Sequence, residues 1–431
     1  MKKETKNNDI SFLGKTVVLF RRIKNKISGW HLFDRFFSKQ KKLAGYEGRN
    51  SSNEAKVAYG FGLARIISIV FLCIVLAVTM LTGSGIISYE NVYYMFKDIS
   101  YITSFNESIP NVLSYSKPVS NQDFASFKNG LAVAGDNEIK FFTSKGRTTI
   151  TVGSDFVNPK ITCSDTSALV FDQGRRGFAV YNSFIKVKSD STEFPISSAD
   201  MCPDGSFCLV TGAKNYSSAV RFYDSDLELK WEFLKNDYII SANISDNGKY
   251  VAVLSLDSNA GESKVNLNLV SVAKGEIISS VSINGVMPYG AYFIANDRVV
   301  LICDEIACVY SAKGNLIAKY EYHEDLTGLA VTGGGFALLF DDTSVNLGNM
   351  LLVFDDNAKL EYSSKLVGNV RDVEMNGKNV FLLFDNKVLK IDARFGSERS
   401  VDFYEENSRL LVFDNGNVMI CTPVTAYYIQ F

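Results

Sequence analysis

Residues 246–253 read Asp-Asn-Gly-Lys-Tyr-Val-Ala-Val, a tight-turn sequence that leads directly into an apolar strand. Asn-Gly pairs favour hairpin turns, while β-branched and aromatic residues favour strands. The same turn-plus-strand pattern recurs along the chain, so the stretch predicts a repeated β unit. The eight copies begin at Asn129, Asp165, Asp204, Asp246, Asn296, Gly333, Asn376 and Asp414.

A second motif follows each copy, namely a strand that commonly ends in an aromatic residue and then turns. Examples are Phe178–Ser183 (FAVYNS), Val220–Asp226 (VRFYDSD) and Ala307–Gly314 (ACVYSAKG). A strand of alternating polarity completes the unit, which gives four strands in roughly forty residues, the period of a propeller blade. The pattern predicts an all-β β-propeller of eight four-stranded blades, with seven blades as the alternative.

The last copy ends at Phe431 before its fourth strand. Val112–Val119 (VLSYSKPV) resembles the fourth strands and has no other partner among the repeats. We expect it to complete the last blade, because pairing of the two chain ends would remove exposed strand edges. The predicted propeller therefore covers residues 111–431.

Upstream lies Ile66–Ile87 (IISIVFLCIVLAVTMLTGSGII), which carries no charged residue. About 20 apolar residues suffice to cross a bilayer as a helix, so residues 61–87 are predicted to form a single transmembrane helix in contact with lipid. A cleaved signal peptide is the alternative, although its apolar region would be only about 7–15 residues long and would lie near the N-terminus.

Charge is unevenly divided about this segment. Residues 1–65 contain 15 Lys/Arg and 5 Asp/Glu, whereas residues 66–431 contain 30 and 42. The positive-inside rule predicts a cytoplasmic tail (1–56), a juxtamembrane connector (88–110) and an extracytoplasmic C-terminal domain at the cell membrane. Near-helical apolar spacing in Ile10–Phe37 favours an amphipathic helix over a disordered tail. The net charge of −2 gives no reason to expect nucleic acid as a partner.

Cysteine use leaves two alternatives open. An outer compartment permits disulfides, and Cys202–Cys208 and Cys303–Cys308 are close pairs in sequence. However, Cys163 and Cys202 occupy a position where other repeats carry aliphatic residues, which favours buried thiols. The sequence has no CxxC motif and no Cys/His cluster, so we predict no metal site.

Residues typical of catalysis are scarce. The sequence has two histidines, and His323 is the one that follows the apolar segment. It has no GxSxG motif, and neighbouring carboxylates such as Asp355 and Asp356 would point to opposite faces of a strand. We therefore predict neither enzymatic activity nor a cofactor. The alternative is an enzyme acting on cell-wall polysaccharide, with carboxylates brought together on one propeller face.

The loops between the second and third strands of the repeats vary in length, whereas the other turns are short and regular. Variable loops on a rigid scaffold commonly carry binding residues, although drift of unconstrained loops would look the same. The candidate binding residues in these loops are Asp172, Arg175, Arg176, Lys214, Asn215, Tyr216, Asp257, Asp341 and Asp342.

From the apolar segment to Phe431, the chain resembles an uncharacterised family of single-pass membrane proteins of Gram-positive bacteria with an outer propeller-like domain. The order of parts and motifs such as Ser245–Val253 (SDNGKYVAV) and Val309–Asn315 (VYSAKGN) carry the resemblance. These motifs mark the fold and contain no catalytic residue. The sequence thus predicts a membrane-anchored binding or scaffold module for an envelope protein or glycan, with a transmembrane sensor as another alternative. Neither the ligand nor the oligomeric state follows from the sequence.

Overall fold

The computed structural model describes residues 65, 68–73, 112–143, 146–257, 263–342, 348–406, 408–413 and 416–431. The chain divides into two units, Met1–Ser84 and Gly85–Phe431. In the first unit, residues 65 and 68–73 are helical. No helix within the described ranges combines the length and apolar character needed to cross a membrane. The predicted tail, connector and most of Ile66–Ile87 lie outside the described residues.

The described residues of the second unit form eight four-stranded antiparallel sheets, which confirms the predicted eight-blade propeller. We call each sheet a blade and name its strands A to D, from the innermost strand outward. The A strands of successive blades contact one another, as β2 (Gln122–Phe127) does with β6 (Pro159–Cys163). This arrangement places the D strands at the outer rim.

The strands of the first four blades have the following bounds. Blade 1 contains β2 (Gln122–Phe127), β3 (Gly130–Gly135), β4 (Glu138–Phe142) and β5 (Thr148–Gly153); blade 2 contains β6 (Pro159–Cys163), β7 (Ala168–Asp172), β8 (Gly177–Tyr181) and β9 (Lys186–Ser191). Blade 3 contains β10 (Ile196–Met201), β11 (Phe207–Ala213), β12 (Tyr216–Tyr223) and β13 (Leu229–Lys235); blade 4 contains β14 (Tyr238–Ile244), β15 (Tyr250–Asp257), β16 (Lys264–Ser271) and β17 (Ile277–Asn284).

The remaining blades continue in chain order until the last. Blade 5 contains β18 (Pro288–Ala295), β19 (Arg298–Cys303), β20 (Ile306–Ser311) and β21 (Leu316–Glu321); blade 6 contains β22 (Leu326–Thr332), β23 (Gly335–Asp342), β24 (Gly348–Asp355) and β25 (Leu360–Val367). Blade 7 contains β26 (Val370–Asn376), β27 (Asn379–Phe384), β28 (Lys387–Asp392) and β29 (Ser397–Asp402); blade 8 contains β30 (Arg409–Val412), β31 (Val418–Cys421), β32 (Thr425–Ile429) and β1 (Val112–Ser114).

Blade 8 closes the ring with strands from both ends of the propeller sequence. Its A, B and C strands are β30, β31 and β32, and its D strand is β1. In the antiparallel β1–β32 pair, Val112 lies opposite Tyr427 and Ser114 lies opposite Thr425. The predicted pairing of Val112–Val119 with the last repeat is therefore confirmed, although the paired strand is shorter than the predicted stretch.

The core lies between neighbouring blades. Most B and C strands are buried on both faces because another blade covers each face, which explains their continuous apolar sequences. Aromatic pairs fill these interfaces; the rings of Phe207 and Tyr223 stack at 4.7 Å, for example. Trp231 stacks on Phe222 at 5.1 Å and its indole N–H donates to the Val272 carbonyl, so it is a packing residue.

All seven cysteines, each within the described residues, are free. The interpretation of Cys202, Cys208, Cys303 and Cys308 as buried thiols is thus confirmed. Burial raises the pKa of the Cys202 thiol to about 11 and that of Cys303 to about 12. These thiols stay protonated at neutral pH and act as small apolar core residues.

Strand direction alternates within each blade, and this sorts the connections onto two faces. We call the face with the B-to-C loops and the D-to-A connections between blades the loop face, and the face with the A-to-B and C-to-D turns the turn face. In β1, Ser114 lies next to the B-to-C loop of blade 8, whereas Val112 lies toward the turn face. β1 therefore runs from the turn face toward the loop face.

A candidate binding face and a pocket at the ring closure

Aspartates near the ends of B strands hold the loop face together. Their carboxylates accept hydrogen bonds from main-chain N–H groups of the D-to-A connection leading into the same blade. The bonds are Val119 N to Asp136 Oδ1 (2.8 Å), Asn158 N to Asp172 Oδ1 (2.7 Å) and Met287 N to Asp304 Oδ1 (2.9 Å). Because these N–H groups lie between blades and not within a sheet, the carboxylates supply partners that the sheets cannot.

Asp172 is one of these structural aspartates, and its role as a binding residue stays a prediction. It is buried, and its carboxylate also accepts a hydrogen bond from the N–H of Val157. Arg175 and Arg176, by contrast, are exposed in the B-to-C loop of the same blade. The Arg175 Nε atom lies 4.0 Å from Asp172 Oδ2, and most of the Arg175 side chain is exposed to solvent.

The other predicted residues lie on the loop face of different blades. Lys214, Asn215 and Tyr216 are exposed at the blade 3 hairpin, where Asn215 has a φ of 65°. Asp257 pairs with Lys264 in blade 4, and Asp341 and Asp342 pair with Asn349 and Gly348 in blade 6. The candidates are thus spread over four blades and do not form one common cluster.

Asp341 lines a groove of about 160 Å³ between blades 5 and 6. Tyr320, Tyr322, Glu324 and Lys365 line the same groove. Glu324 and Asp341 are two carboxylates in one groove, the residue type that the polysaccharide-acting alternative needs. That alternative stays a prediction, because glycosidases also need a fixed geometry of the two groups about a sugar. His323 is exposed nearby.

A larger pocket, of about 330 Å³, lies where blades 8 and 1 meet, and we call it the seam pocket. One wall comes from the connection between β1 and β2 and from β2 itself. The other comes from β30 and the B-to-C loop of blade 8. The lining residues are Pro118, Ser120, Asn121, Gln122, Phe124, Ser408, Arg409, Cys421 and Pro423.

Arg409 is the charged residue among those that line the seam pocket. Its Nη1 atom lies 2.5 Å from Asp123 Oδ1, and the other Asp123 oxygen accepts a hydrogen bond from the Ile161 N–H at 3.1 Å. The Asp123 side chain is 9% exposed, whereas that of Arg409 is 53% exposed. The ion pair therefore connects blades 8 and 1 while the guanidinium remains accessible from the pocket.

Gln122 lines the same pocket, and its Oε1 atom is buried without a hydrogen-bond donor among the described residues. A buried, unpaired carbonyl oxygen costs free energy. Rotation of the amide by 180° exchanges the positions of its oxygen and nitrogen. The oxygen of the Gln122 amide is therefore not fixed by a hydrogen bond from the described residues.

The inner A strands also carry carboxylates that connect blades. Asp200 accepts a hydrogen bond from the Ile244 N–H at 2.7 Å, and Asp372 accepts one from the Leu410 N–H at 2.8 Å. Burial raises the pKa of Asp200 to about 6. Burial raises the pKa of Glu374 to about 7, and the nearby charge of Asp372 adds to this effect. Protonation at the inner strands therefore changes between about pH 6 and 7.

Large apolar side chains are exposed on the loop face at several D-to-A connections, either within the connection or at the strand end that adjoins it. Val119, Tyr238, Val367 and Tyr404 are 87%, 67%, 74% and 71% exposed. They adjoin four different D-to-A connections, so they are distributed around the ring. Exposed apolar groups on one face are typical of surfaces that bind other proteins. On the turn face, Phe395 is comparably exposed at 78%.

The sequence did not reveal the seam pocket. Asp123 and Arg409 are 286 residues apart, and neither belongs to a recognisable local motif. The one relevant observation was the predicted pairing of the two ends, which implied that a junction exists without indicating which side chains meet there. The structural role of Asp172 could not be predicted from the sequence either, because a turn-like sequence does not indicate whether its carboxylate is buried.

Solved structures with the same fold have very different sequences. BamB from Moraxella catarrhalis is similar with a TM-score of 0.50 and 8% identity, over 74% of this chain and 98% of that chain. Sqt1 from Saccharomyces cerevisiae is similar with a TM-score of 0.51 and 11% identity, also over 74% and 98%. At such low identity these similarities establish the propeller fold alone.

Sequence comparison gives a more specific result. The model of a family described as "Family of unknown function (DUF5711)" matches residues 106–430. A search of curated proteins found no significant match. The matched range covers every blade, including the strand that closes the ring.

Proposed function

The chain belongs to the DUF5711 family of unknown function, and we propose that its propeller is a binding or scaffold module that recognises a protein partner through the loop face. The exposed apolar side chains of the D-to-A connections are the main support for this proposal. Partner binding would remove Tyr238, Val367 and Tyr404 from water, whereas the free protein gains nothing by exposing them. The propeller scaffold would hold these groups in fixed relative positions, which lowers the entropic cost of association.

The proposed location is the outer side of a bacterial membrane, as the resemblance to Gram-positive proteins suggests. The uncharged run Ile66–Ile87 would be the anchor, and the excess of Lys/Arg before it would keep the N-terminus in the cytoplasm. β1 begins at its turn-face end, so a tether attached there would leave the loop face open to a partner. In this proposal the module binds without catalysis, and an envelope glycan is the alternative ligand.

The decisive experiment is crosslinking in intact cells that express the tagged full chain, followed by identification of captured proteins. Tyr404→Ser should lower recovery of a specific partner by about 10-fold, because aromatic residues at interface centres commonly contribute more than 1 kcal/mol. Phe395→Ser is the matched control, since it removes an equally exposed aromatic from the turn face of the same blade.

Two results would contradict the proposal. Recovery of no protein above an untagged control would remove the evidence for a partner, and equal losses with Tyr404→Ser and Phe395→Ser would remove the assignment to the loop face. A glycan array probed with the detergent-solubilised full chain tests the alternative ligand. Binding there that is insensitive to protein competitors would favour the glycan.

Topology has its own test. Val119→Cys places a thiol at an exposed position of the loop face, while the native thiols of the propeller are buried or partly buried. A membrane-impermeant maleimide should label this variant in intact cells and leave the native chain much less labelled. Labelling only after the membrane has been permeabilised would place the propeller in the cytoplasm.

A further inference from the structure

We propose that the seam pocket binds one or two residues of an extended peptide by pairing with a main-chain amide. The proposal deepens the proposed function, on which it rests, because the pocket opens among loop-face residues. It assigns a ligand class to residues from both ends of the propeller sequence, in particular Gln122 and Arg409. Neither residue belongs to a recognisable sequence motif.

The polar groups of the pocket match a secondary amide. The half-exposed guanidinium of Arg409 can donate a hydrogen bond to a carbonyl oxygen, even while Nη1 contacts Asp123. The Gln122 Oε1 atom is buried and has no donor among the described residues, so no hydrogen bond holds this oxygen in its place. Rotation of the side chain would bring the oxygen to the pocket that Gln122 lines, where an incoming N–H would supply a donor. A peptide bond presents a carbonyl oxygen and an N–H in fixed geometry, so one amide can satisfy both residues.

Charge favours a neutral group over a carboxylate in this position. Asp123 already balances Arg409, and Asp372 bonds to the Leu410 N–H immediately beside Arg409. Glu374 adds a further carboxyl group on the same strand as Asp372. A free carboxylate in the pocket would therefore approach several acidic groups, and repulsion from these groups would oppose its attraction to the guanidinium. An amide carries no net charge and avoids this cost.

The remaining walls suit a small apolar side chain. Pro118 and Pro423 come from opposite sides of the seam, and Phe124 adds an aromatic ring to the lining. The Phe124 ring contacts the Tyr115 ring at a centroid distance of 5.8 Å. The volume of about 330 Å³ is at the lower end of the range of ligand pockets, about 300–1,000 Å³. This space limits the occupant to a short stretch of peptide.

Binding should also be linked to ring closure. The two walls come from opposite ends of the propeller sequence, so a ligand that contacts both walls can bind fully only when β1 is paired with β32. A ligand that binds only the closed state stabilises that state by mass action. Occupancy of the pocket is therefore expected to raise the midpoint temperature of unfolding and to slow hydrogen exchange in β1.

The test uses the full chain in lipid nanodiscs and a neutral dipeptide mimic, N-acetyl-leucine N-methylamide, observed by saturation-transfer difference NMR. The native protein should transfer saturation to the probe. Gln122→Met should reduce the effect about 10-fold without lowering the midpoint temperature of unfolding, because the native Oε1 makes no hydrogen bond that the variant could lose. Arg409→Lys should also weaken binding, since Lys lacks the planar guanidinium.

The control variant is Gln173→Met on the loop face of blade 2. Gln173 resembles Gln122 chemically, but its amide is paired: Nε2 donates to the Ser197 carbonyl at 2.9 Å, and Oε1 accepts from Asn158 at 3.3 Å. We therefore expect Gln173→Met to lower the midpoint temperature and to leave saturation of the probe unchanged. The pair of variants separates a binding amide from a structural amide.

Three outcomes would overturn the proposal: no saturation transfer to the probe, transfer that persists in Gln122→Met, or a Gln122-dependent effect seen with acetate or N-acetylglucosamine but not with the peptide mimic. None of these outcomes affects the proposed function, which is measured by crosslinking with Tyr404→Ser. Conversely, if the dipeptide mimic binds but no protein is captured in cells, the pocket assignment holds and the partner proposal fails.

Discussion

Blades 5 and 8 have the same four-stranded design but differ in how the chain builds them. Blade 5 is one continuous segment, Pro288–Glu321, with strands of six to eight residues. Blade 8 combines three strands of four or five residues with the three-residue β1 from the other end. Fewer main-chain hydrogen bonds hold blade 8, although it must keep the whole ring closed.

The two blades nevertheless use the same tyrosine contact. Tyr115 follows the D strand of blade 8, and its hydroxyl bonds to the carbonyls of Thr422 and Thr425. Tyr322 follows the D strand of blade 5, and its hydroxyl bonds to the carbonyls of Cys303 and Ile306, which flank that blade's B-to-C loop. Their main-chain N–H groups also bond equivalently, to Val424 O and Glu305 O, both at 3.0 Å. We expect the tyrosine contact to contribute more to the stability of blade 8, because no continuous chain joins β1 to the other three strands of that blade.

The largest expected effect comes from truncation of these tyrosines. Tyr115→Ala should lower the free energy of unfolding by about 3–5 kcal/mol, the usual cost of removing a buried aromatic side chain. Tyr322→Ala should cost a similar amount. In native-state hydrogen exchange, however, only Tyr115→Ala should expose β32 below the temperature of global unfolding. Equal local protection in both variants would show that continuity of the blade does not matter.

The ion pair between blades 8 and 1 should rank next. Arg409→Met leaves the Asp123 carboxylate buried without its cation, and we expect a loss of about 2 kcal/mol, reduced from the usual cost because Arg409 is half exposed. Asp123→Asn should rescue most of it in the double variant, as chemical denaturation can measure.

Blade 5 supplies the comparison for this ion pair. Arg298 Nη1 lies 2.9 Å from Asp356 Oδ2 of blade 6, and both side chains are substantially solvent-accessible. Arg298→Met should therefore cost only about 0–1 kcal/mol, the range of surface ion pairs. A loss as large as that of Arg409→Met would mean that burial of Asp123 does not set the difference.

Removal of only the tyrosine hydroxyls tests the hydrogen bonds of blades 5 and 8 separately from ring packing. Tyr115→Phe and Tyr322→Phe should each cost about 1 kcal/mol, because each leaves buried carbonyls with one donor fewer. Limited proteolysis should nevertheless cut near residue 115 faster in Tyr115→Phe, whereas Tyr322→Phe should remain resistant near residue 322. Indistinguishable cleavage patterns would argue against a weaker closure in blade 8.

The smallest expected effect depends on pH and concerns Glu374 beside the closure. Because burial raises its folded-state pKa from 4.5 to about 7, the folded protein binds more protons than the unfolded chain within that interval. Stability should therefore fall as the pH rises through the interval. For a fully buried carboxyl group a shift of this size would correspond to about 3 kcal/mol. The Glu374 side chain is only partly buried, so we expect Glu374→Gln to remove this loss and to stabilise the protein by about 1 kcal/mol at pH 8, relative to its effect at pH 4.

Blade 5 again provides the contrast, because its A strand β18 (PYGAYFIA) contains no carboxylate. Hydrogen exchange of β18 should thus be less pH-dependent than that of β26 and β30, once the intrinsic pH dependence of exchange is corrected. Thermal unfolding of Glu374→Gln between pH 4 and pH 8 provides the global measurement. A parallel pH profile in native and variant proteins would exclude Glu374 as the titrating group.

Local sequence patterns were enough to predict the repeated architecture. Turn sequences such as Asp246–Gly248, the apolar B strands and the alternating D strands are local patterns, so they predicted four strands per unit and eight units. A last blade without its fourth strand would leave a strand edge exposed. The pairing of Val112–Val119 with the C-terminal repeat could therefore also be predicted. The charge division about Ile66–Ile87 predicted a membrane orientation, which remains a prediction.

Which side chains meet across the blades could be seen only in the folded protein. The fold buried Asp172 under a D-to-A connection, spread the other predicted residues over separate blades, and brought Gln122 and Arg409 into one pocket. Strand periodicity specifies which way a side chain points within its own sheet, but not its neighbours in another blade. The twist, tilt and register of all eight blades together set those contacts, so the candidate site emerged from ring closure rather than from any local motif.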